Sequence, residues 1–281
     1  MLTLDPKELP IPKLHHYLLG SIGPRPIAFA STIDIEGNRN LAPFSFFNVF
    51  SANPPILIFS PARSGRTNTT KNTHDNVKEV AEVVINVVTY DMVHQMSLTS
   101  SPFEAGVDEF EKAGFTPVPS DTIRPFRVKE SPVQIECKVL EVKELGKNGG
   151  AGNLVICEVQ KIHIAEDVLD DNQMVDQQKI DLVSRMGGNW YCRANSGSMF
   201  EVNKPITTIG VGVDALPEGI RTSKHLTGND LGILGNMQSL PNDDEIKSSL
   251  AVIDTPSLSL AKDLIIQNKP QQAYAVLLQV L

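Results

Sequence analysis

The sequence predicts a mainly β fold with inserted helices: an antiparallel sheet closed or nearly closed into a barrel, then a C-terminal extension ending in helices. Three observations carry it. Pro55–Ser60 (PILIFS) and Val83–Val88 (VVINVV) are apolar, β-branched runs too short for helices and suited to buried strands. Two longer runs, Val133–Leu145 and Asn153–Ala165, flank the glycine-rich stretch 146–152, the pattern of a β-hairpin with a mobile tip. Helical stretches fall between these strands without strict βαβ alternation, which favours an antiparallel sheet.

In chain order, Ser21–Thr32 (SIGPRPIAFAST) reads as a strand that ends at the polar turn Asp34–Asn38, with a second strand after it. Asn68–Val80 reads as a helix, because hydroxyls at Thr67, Thr69 and Thr70 precede a Lys/Glu-bearing body. Tyr90–Leu98 sets Met92, Val93 and Met96 at helical spacing, and Asp108–Ala113 is a short helix stopped by Gly114. Composition shifts near residue 204. The expected division is a barrel domain, 1–204, and an extension, 205–281, loop-rich to about residue 250. Ser257–Asn268 and Gln271–Leu281 then form a helical hairpin about Lys269-Pro270, with stripes of Leu260, Ala261, Leu264, Ile265 and of Ala273, Val276, Leu277, Val280.

Composition narrows the function. The 281 residues are 41% hydrophobic with a mean hydropathy of −0.09, enough for a core without staples. Asp and Glu exceed Lys and Arg by 33 to 25, which argues against a nucleic-acid binder and makes any anion site local. MLTLDPKELPIP lacks the basic start and apolar core of a signal peptide, and no run of about 18 apolar residues occurs, so no membrane span and a cytoplasmic location are expected. The three cysteines form no CxxC pattern, and Cys137 and Cys157 sit in strands as small buried hydrophobes. The histidines are scattered and His15-His16 lacks a third ligand, so no metal site is expected.

Pro61–Val77 (PARSGRTNTTKNTHDNV) is the richest stretch. Arg63, Arg66 and Lys71 stand with five Ser and Thr hydroxyls against Asp75 alone, at a helix start whose free N–H groups and dipole favour phosphate. An exposed capping region with solvated charges is the plainer alternative. Asn40–Asn48 (NLAPFSFFN) mixes amides, small residues and aromatics: Ser45 and Asn48 suit the polar edges of a ligand, and Phe44, Phe46 and Phe47 suit a flat ring. A bulged core strand would look the same. Gly210–Ala215 matches GxGxxA, but Pro217 and Gly219 interrupt the helix a dinucleotide site needs.

In order and spacing, Gly23–Thr32, Asn40–Asn48, Asn53-Pro54-Pro55, Lys71–Asn76 and Arg185–Tyr191 (RMGGNWY) resemble the flavin reductase-like family of FMN-binding split barrels. The resemblance spans about residues 12–195. It implies a homodimer holding FMN non-covalently near the subunit interface, with Ala42, Pro43, Ser45, Phe46 and Asn48 along the ring and ribityl chain. Lys71, Thr73 and Asn76 would serve the phosphate, with Asn40, Arg66 and Thr69 also in the binding set. The family often has Lys-Asp-Thr where this chain has Lys71-Asn72-Thr73, which leaves the detailed hydrogen bonding open. Arg25, stiffened between prolines, is a candidate cation for reduced flavin, and Trp190 and Tyr191 are candidates to cover a flavin or nicotinamide face. Acid–base catalytic residues are not identifiable.

The activity so implied is an NAD(P)H-dependent flavin reductase with small-molecule electron donor and acceptor. Two rivals stay open: a flavoredoxin-like FMN electron carrier with little NAD(P)H activity, and a flavin-less interaction module that docks through its C-terminal helices.

Overall fold

The computed structural model describes residues 1–104 and 106–281. They form two compact units, Met1–Phe200 and Glu201–Leu281. The first unit comprises α1 (Ile11–Ser21), β1 (Ala28–Ile33), β2 (Arg39–Phe44), β3 (Phe47–Ala52), β4 (Pro55–Phe59), α2 (Asn72–Glu79) and β5 (Glu82–Asn86). It continues with α3 (Val93–Leu98), α4 (Glu109–Ala113), β6 (Pro117–Val118), β7 (Arg127–Val128), β8 (Val133–Glu144), β9 (Asn153–Ile164), β10 (Val183–Arg185) and β11 (Tyr191–Arg193).

Seven strands form one antiparallel sheet in the order β2-β1-β5-β8-β9-β4-β3. Its outermost strands, β2 and β3, are consecutive in the chain and separated only by Ser45 and Phe46. Laid flat, six inter-strand steps of about 4.8 Å would hold these edges about 29 Å apart. The three Cα steps from Phe44 to Phe47 reach about 11 Å at most. The sheet therefore rolls up, and since β2 and β3 are not paired, it forms a barrel that is split.

Rolling explains the sequence of β1. Ala28 and Ala30 face an interior with Leu57, Phe59, Val83, Ile85, Cys137, Val155 and Cys157. Phe29 faces the other way, into a cluster with Leu41, Met92, Met96, Phe110 and Phe115 under α3 and α4. All six β1 residues are buried, the hydroxyls of Ser31 and Thr32 included, so the strand shows no alternation of apolar and charged residues. Cys137 and Cys157 are buried in the barrel as expected, and burial pushes the Cys137 thiol up to about 12. Asp108 caps α4 through Phe110 N, and Gly114 ends it with φ 72°.

The structure revises three local expectations. The segment expected as strand from Ser21 begins instead with the end of α1, and β1 starts only at Ala28, because Pro24 and Pro26 have no N–H to give a ladder. The expected Asn68–Val80 helix starts at Asn72, since Asn68 adopts φ 56° and closes a turn. Residues 205–250 are more helical than their composition suggested: α5 (Glu218–Arg221), α6 (Gly228–Gly235) and α7 (Asp243–Leu250) join α8 (Leu258–Ile266) and α9 (Pro270–Val280) around a common core of Leu216, Ile220, Leu234, Ile265 and Leu277. Capping boxes at Thr227/Asp230 and Asn242/Glu245 start α6 and α7.

Glu136 of β8 is fully buried, yet it accepts hydrogen bonds from Asp121 N (2.8 Å), Thr122 N (2.7 Å), Thr122 Oγ1 (2.5 Å) and His163 Nε2 (2.8 Å). Burial alone would raise its pKa, but the bonds from Thr122, Asp121 and His163 outweigh burial and hold it at about 2. Asp121, Glu136 and His163 cluster at the spacing of metal ligands, but the Glu136 oxygens are already saturated by these donors. A carboxylate depressed in the folded state contributes stability at neutral pH that is lost as pH falls through about 4 toward 2. Glu136→Gln should therefore cost about 2 kcal/mol at pH 7, and the gap in Tm between wild type and variant, followed by thermal melts, should shrink steadily below pH 4.

Candidate functional site

At one end of the barrel, four segments are tied to the Ser45–Phe46 link. Ser60 N donates to Phe46 O (2.8 Å), which docks the start of the cationic 60–71 loop on the link. Asn153, fully buried at the start of β9, donates from its backbone to Ser60 Oγ (3.0 Å) and from Nδ2 to Pro61 O (2.8 Å). The glycine-rich tip packs on the same loop: Arg63 N donates to Ala151 O (2.9 Å) and Gly150 N to Arg63 O (3.0 Å). A Cβ on Gly149 would lie 2.9 Å from Ser64 O, so only glycine permits this approach. The fourth segment is α1, whose His15 ring meets Phe46 edge-on at 6.5 Å.

The loop holds its own shape. Ser64 Oγ accepts from Arg66 N (3.3 Å) and Thr67 N (3.2 Å), Thr67 and Thr69 pair through their hydroxyls (2.8 Å), and Arg63 Nε binds Asn68 Oδ1 (2.9 Å). Asp75, the one local acid, is occupied by Thr70 Oγ1 (2.9 Å) and His74 Nδ1 (2.8 Å). The neighbouring ion pair is Lys78 with Glu144 at 3.1 Å; among the described residues, Arg66 and Lys71 form none. Lys71 is the N-cap of α2 and gives it no side-chain cap, so the first helical N–H groups stay available. Arg66, Thr69 and Lys71 are exposed and α2 starts without a side-chain cap, groups of the kind that can bind an anion.

Three of the residues expected at the phosphate turn inward. Asn40, Thr73 and Asn76 are buried and form a cluster with Thr32: Asn40 Nδ2 donates to Thr32 Oγ1 (3.1 Å) and Thr73 Oγ1 (2.9 Å), and Asn76 Nδ2 to Thr32 Oγ1 (3.1 Å). They hold α2 against β1 and β2, while Arg66, Thr69 and Lys71 remain at the surface. Thr32 carried no sequence signal, being one hydroxyl at the end of an apolar strand.

Ala42, Pro43 and Ser45 are half-buried along β2 and the link, and Phe46 and Asn48 are exposed, with Asn48 Oδ1 accepting from Val49 N (2.8 Å). Beside them the outer strand β3 exposes Val49 and Phe50. Arg25 is buried and its guanidinium is taken up by backbone carbonyls: Leu19 O (2.8 Å), Ile22 O and Met186 O (2.9 Å). It caps the end of α1 and ties it to the strand leading into the β10–β11 hairpin. Gly187 at that hairpin's tip lies against Gly20, where a Cβ would come within 2.9 Å of the Gly20 Cα. Trp190 and Tyr191 follow. Trp190 is 77% exposed and Tyr191 stacks on Arg185 at 4.6 Å, so neither packs in the core.

Comparison with known proteins agrees with the split-barrel fold. Residues 20–180 match the flavin reductase like domain. An uncharacterized protein of Aquifex aeolicus is 36% identical over 188 residues, 67% of this chain and 93% of that one. The crystal structure of nitrilotriacetate monooxygenase component B from Bacillus cereus superimposes with TM-score 0.67 and 31% identity over 72% of this chain and 98% of that one. The 2-nitrobenzoate 2-nitroreductase NbaA of Pseudomonas fluorescens gives TM-score 0.66 and 27% identity over 75% and 100%. Residues 201–281, the second unit, lie outside the matched domain.

Trp190 is the sole tryptophan, so its exposure is directly readable. The protein's emission should peak where hydrated indole emits and be quenched by iodide nearly as efficiently as free tryptophan. A blue-shifted, protected emission would show this hairpin face covered in solution.

Proposed function

The chain belongs to the flavin reductase-like family and shares its split-barrel fold, and from that premise we propose that it is an FMN-binding oxidoreductase, an NAD(P)H-dependent flavin reductase that holds FMN non-covalently. The observation that carries this reading is the surface formed by Arg66, Thr69, Lys71 and the uncapped start of α2, a local cationic site in a protein of net charge −8. These groups fit a phosphate monoester: two cations without ion partners, a hydroxyl, and free backbone N–H groups aligned with a helix dipole.

With the phosphate held there, the ring would lie along the Ser45–Phe46 link. Ala42, Pro43, Ser45 and Asn48 offer backbone and amide groups to its polar edge, and Phe46 an apolar face. Bound FMN would supply the hydride and electron transfer, chemistry the protein orients and tunes. The chain's own tasks are to anchor the phosphate, to keep the link and loop in register through Ser60 and Asn153, and to leave one face open to a nicotinamide donor and a small-molecule acceptor. Trp190 and Tyr191 would cover such a face. Arg25 acts through the backbone it braces, because its terminal nitrogens are bonded to carbonyls while its buried Nε has no partner.

The functional unit in this reading is a cytoplasmic homodimer. Among its described residues α1 has none buried, and it exposes Ile11 and Leu18, with Ile22 exposed just after it; β3 exposes Val49 and Phe50 on an unpaired outer edge. A second copy covering this surface would complete the site beside Phe46 and remove an aggregation-prone edge. No helix is long and apolar enough to cross a membrane among the described residues. Residues 205–281 would be an additional domain appended to the flavin barrel.

Three measurements test the reading. The protein as purified, or after adding FMN, should show flavin absorbance near 450 nm that bleaches promptly on anaerobic addition of NADH or NADPH; bleaching only by dithionite would replace the reductase with an electron carrier, and a colourless protein that ignores FMN would refute both. Lys71→Ala should weaken FMN binding by about 1 kcal/mol, as loss of an exposed charge-assisted contact does, and adding Thr73→Ala should weaken it further; unchanged affinity counts against the phosphate assignment. Light scattering should give a dimer mass, reduced to monomer by Phe50→Asp.

A further inference from the structure

We propose that Thr32, a residue with no surface in the site, is the positioning residue for its phosphate end; this inference rests on the flavin reading above. Thr32 is fully buried near the end of β1, directly across from Asn40 of β2. Its Oγ1 accepts from Asn40 Nδ2 and Asn76 Nδ2, each at 3.1 Å, so both acceptor positions of one hydroxyl are filled. Asn40 Nδ2 passes the contact on to Thr73 Oγ1 at 2.9 Å. Thr73 and Asn76 stand three residues apart on one face of α2, and through them the hydroxyl fixes where the helix starts.

That start needs an external reference. α2 is eight residues long and its N-cap, Lys71, contributes no side-chain hydrogen bond. A short helix without an N-cap side chain has little intrinsic restraint on its first turn, and here the one local bond is from Thr70 Oγ1 to Asp75. The preceding loop is docked on the barrel only at its first residues, Ser60 to Arg63, and from Ser64 to Thr69 its side-chain hydrogen bonds, Ser64 with Arg66 and Thr67, and Thr67 with Thr69, are internal to it. The cluster around Thr32 joins the first half of α2, next to Lys71 and the free N–H groups, to β1 and β2, whereas Lys78 with Glu144 joins its last turn to β8. Removing Thr32 Oγ1 leaves two buried amide donors short of an acceptor, and the cheapest relief is for α2 to shift or for water to enter behind it. Either moves the phosphate end relative to the ring end, which is held separately by Phe46 and Ser60.

The test compares FMN with riboflavin, which lacks the phosphate, by fluorescence titration of the full-length wild type, Thr32→Val and Thr32→Ser. Thr32→Val should weaken FMN about tenfold and change riboflavin by no more than about twofold, while Thr32→Ser, which keeps the hydroxyl, should retain the wild-type preference. If both ligands weaken equally in Thr32→Val, or the FMN preference is unchanged, or Thr32→Ser behaves like Thr32→Val, the assignment is overturned. Should Thr32→Val not give a cooperative melt, Asn40→Ala, which leaves Thr32 bonded to Asn76 alone, is read in the same way. A wild type that binds neither flavin overturns the flavin reading itself, an outcome distinct from one in which wild type binds FMN and the variants keep its preference.

Discussion

Ser45 and Phe46 join the two strands that lie farthest apart in the sheet order, and a chain that short can do so only if seven strands curl through most of a circle. From that constraint follows an interior with room for Ala28 and Ala30 but closed by Phe59, Val83 and Ile85, and an exterior that α3 and α4 cover around Phe29 and Phe110. The split between β2 and β3 is then the natural place for irregular backbone. Ser60 N donates to Phe46 O one residue beyond the Phe47–Phe59 pair of β3 and β4, so the cationic loop begins beside the link where the barrel fails to close.

Around that opening, buried polar side chains hold segments that no strand ladder reaches. Glu109 of α4 accepts from Leu41 N (2.9 Å) and so caps the outer edge of β2. Burial raises its pKa, which the bond from Leu41 partly counters. Asn153 fixes Ser60 and Pro61, Arg25 gathers the carbonyls at the end of α1, and Glu136 pins the loop at Asp121 and Thr122. Each is a buried polar group with at least one backbone partner, so that ordering the side chain also orders a stretch of chain. β3 is the exception: its outer edge has no such cap, and its exposed Val49 and Phe50 mark it as the surface left for a second copy in the proposed dimer.

Much of the architecture could be read from local patterns. Strands β4, β5, β8 and β9 and helices α4, α8 and α9 lie where β-branched runs, the glycine-rich tip, Asp108, Gly114 and Pro270 place them, because these signals act within a few residues. The helices between 218 and 250 were legible too, in the capping boxes at Thr227 and Asn242, but scattered glycines masked them. α1 was missed because its burial gives no periodic pattern: none of its residues is buried. The candidate site divides in the same way. The cationic loop showed in composition alone, but which hydroxyls and amides face outward did not: Thr69 and Thr73 are four residues apart and chemically alike, yet one lies on the surface and the other is bonded to Asn40.

What the sequence determined by itself is therefore what depends on neighbours along the chain: the strand and helix segments, the acidic balance around one basic stretch, and the order of motifs that carries the family resemblance. Tertiary structure decided everything that depends on distant partners: the strand order, the curl imposed by a two-residue link, and the inward turn of Asn40, Thr73 and Asn76 onto Thr32. The physical reason is that a hydrogen bond between residues 32 and 76 is specified by the packing of a helix on a sheet, and no local propensity at either residue encodes it.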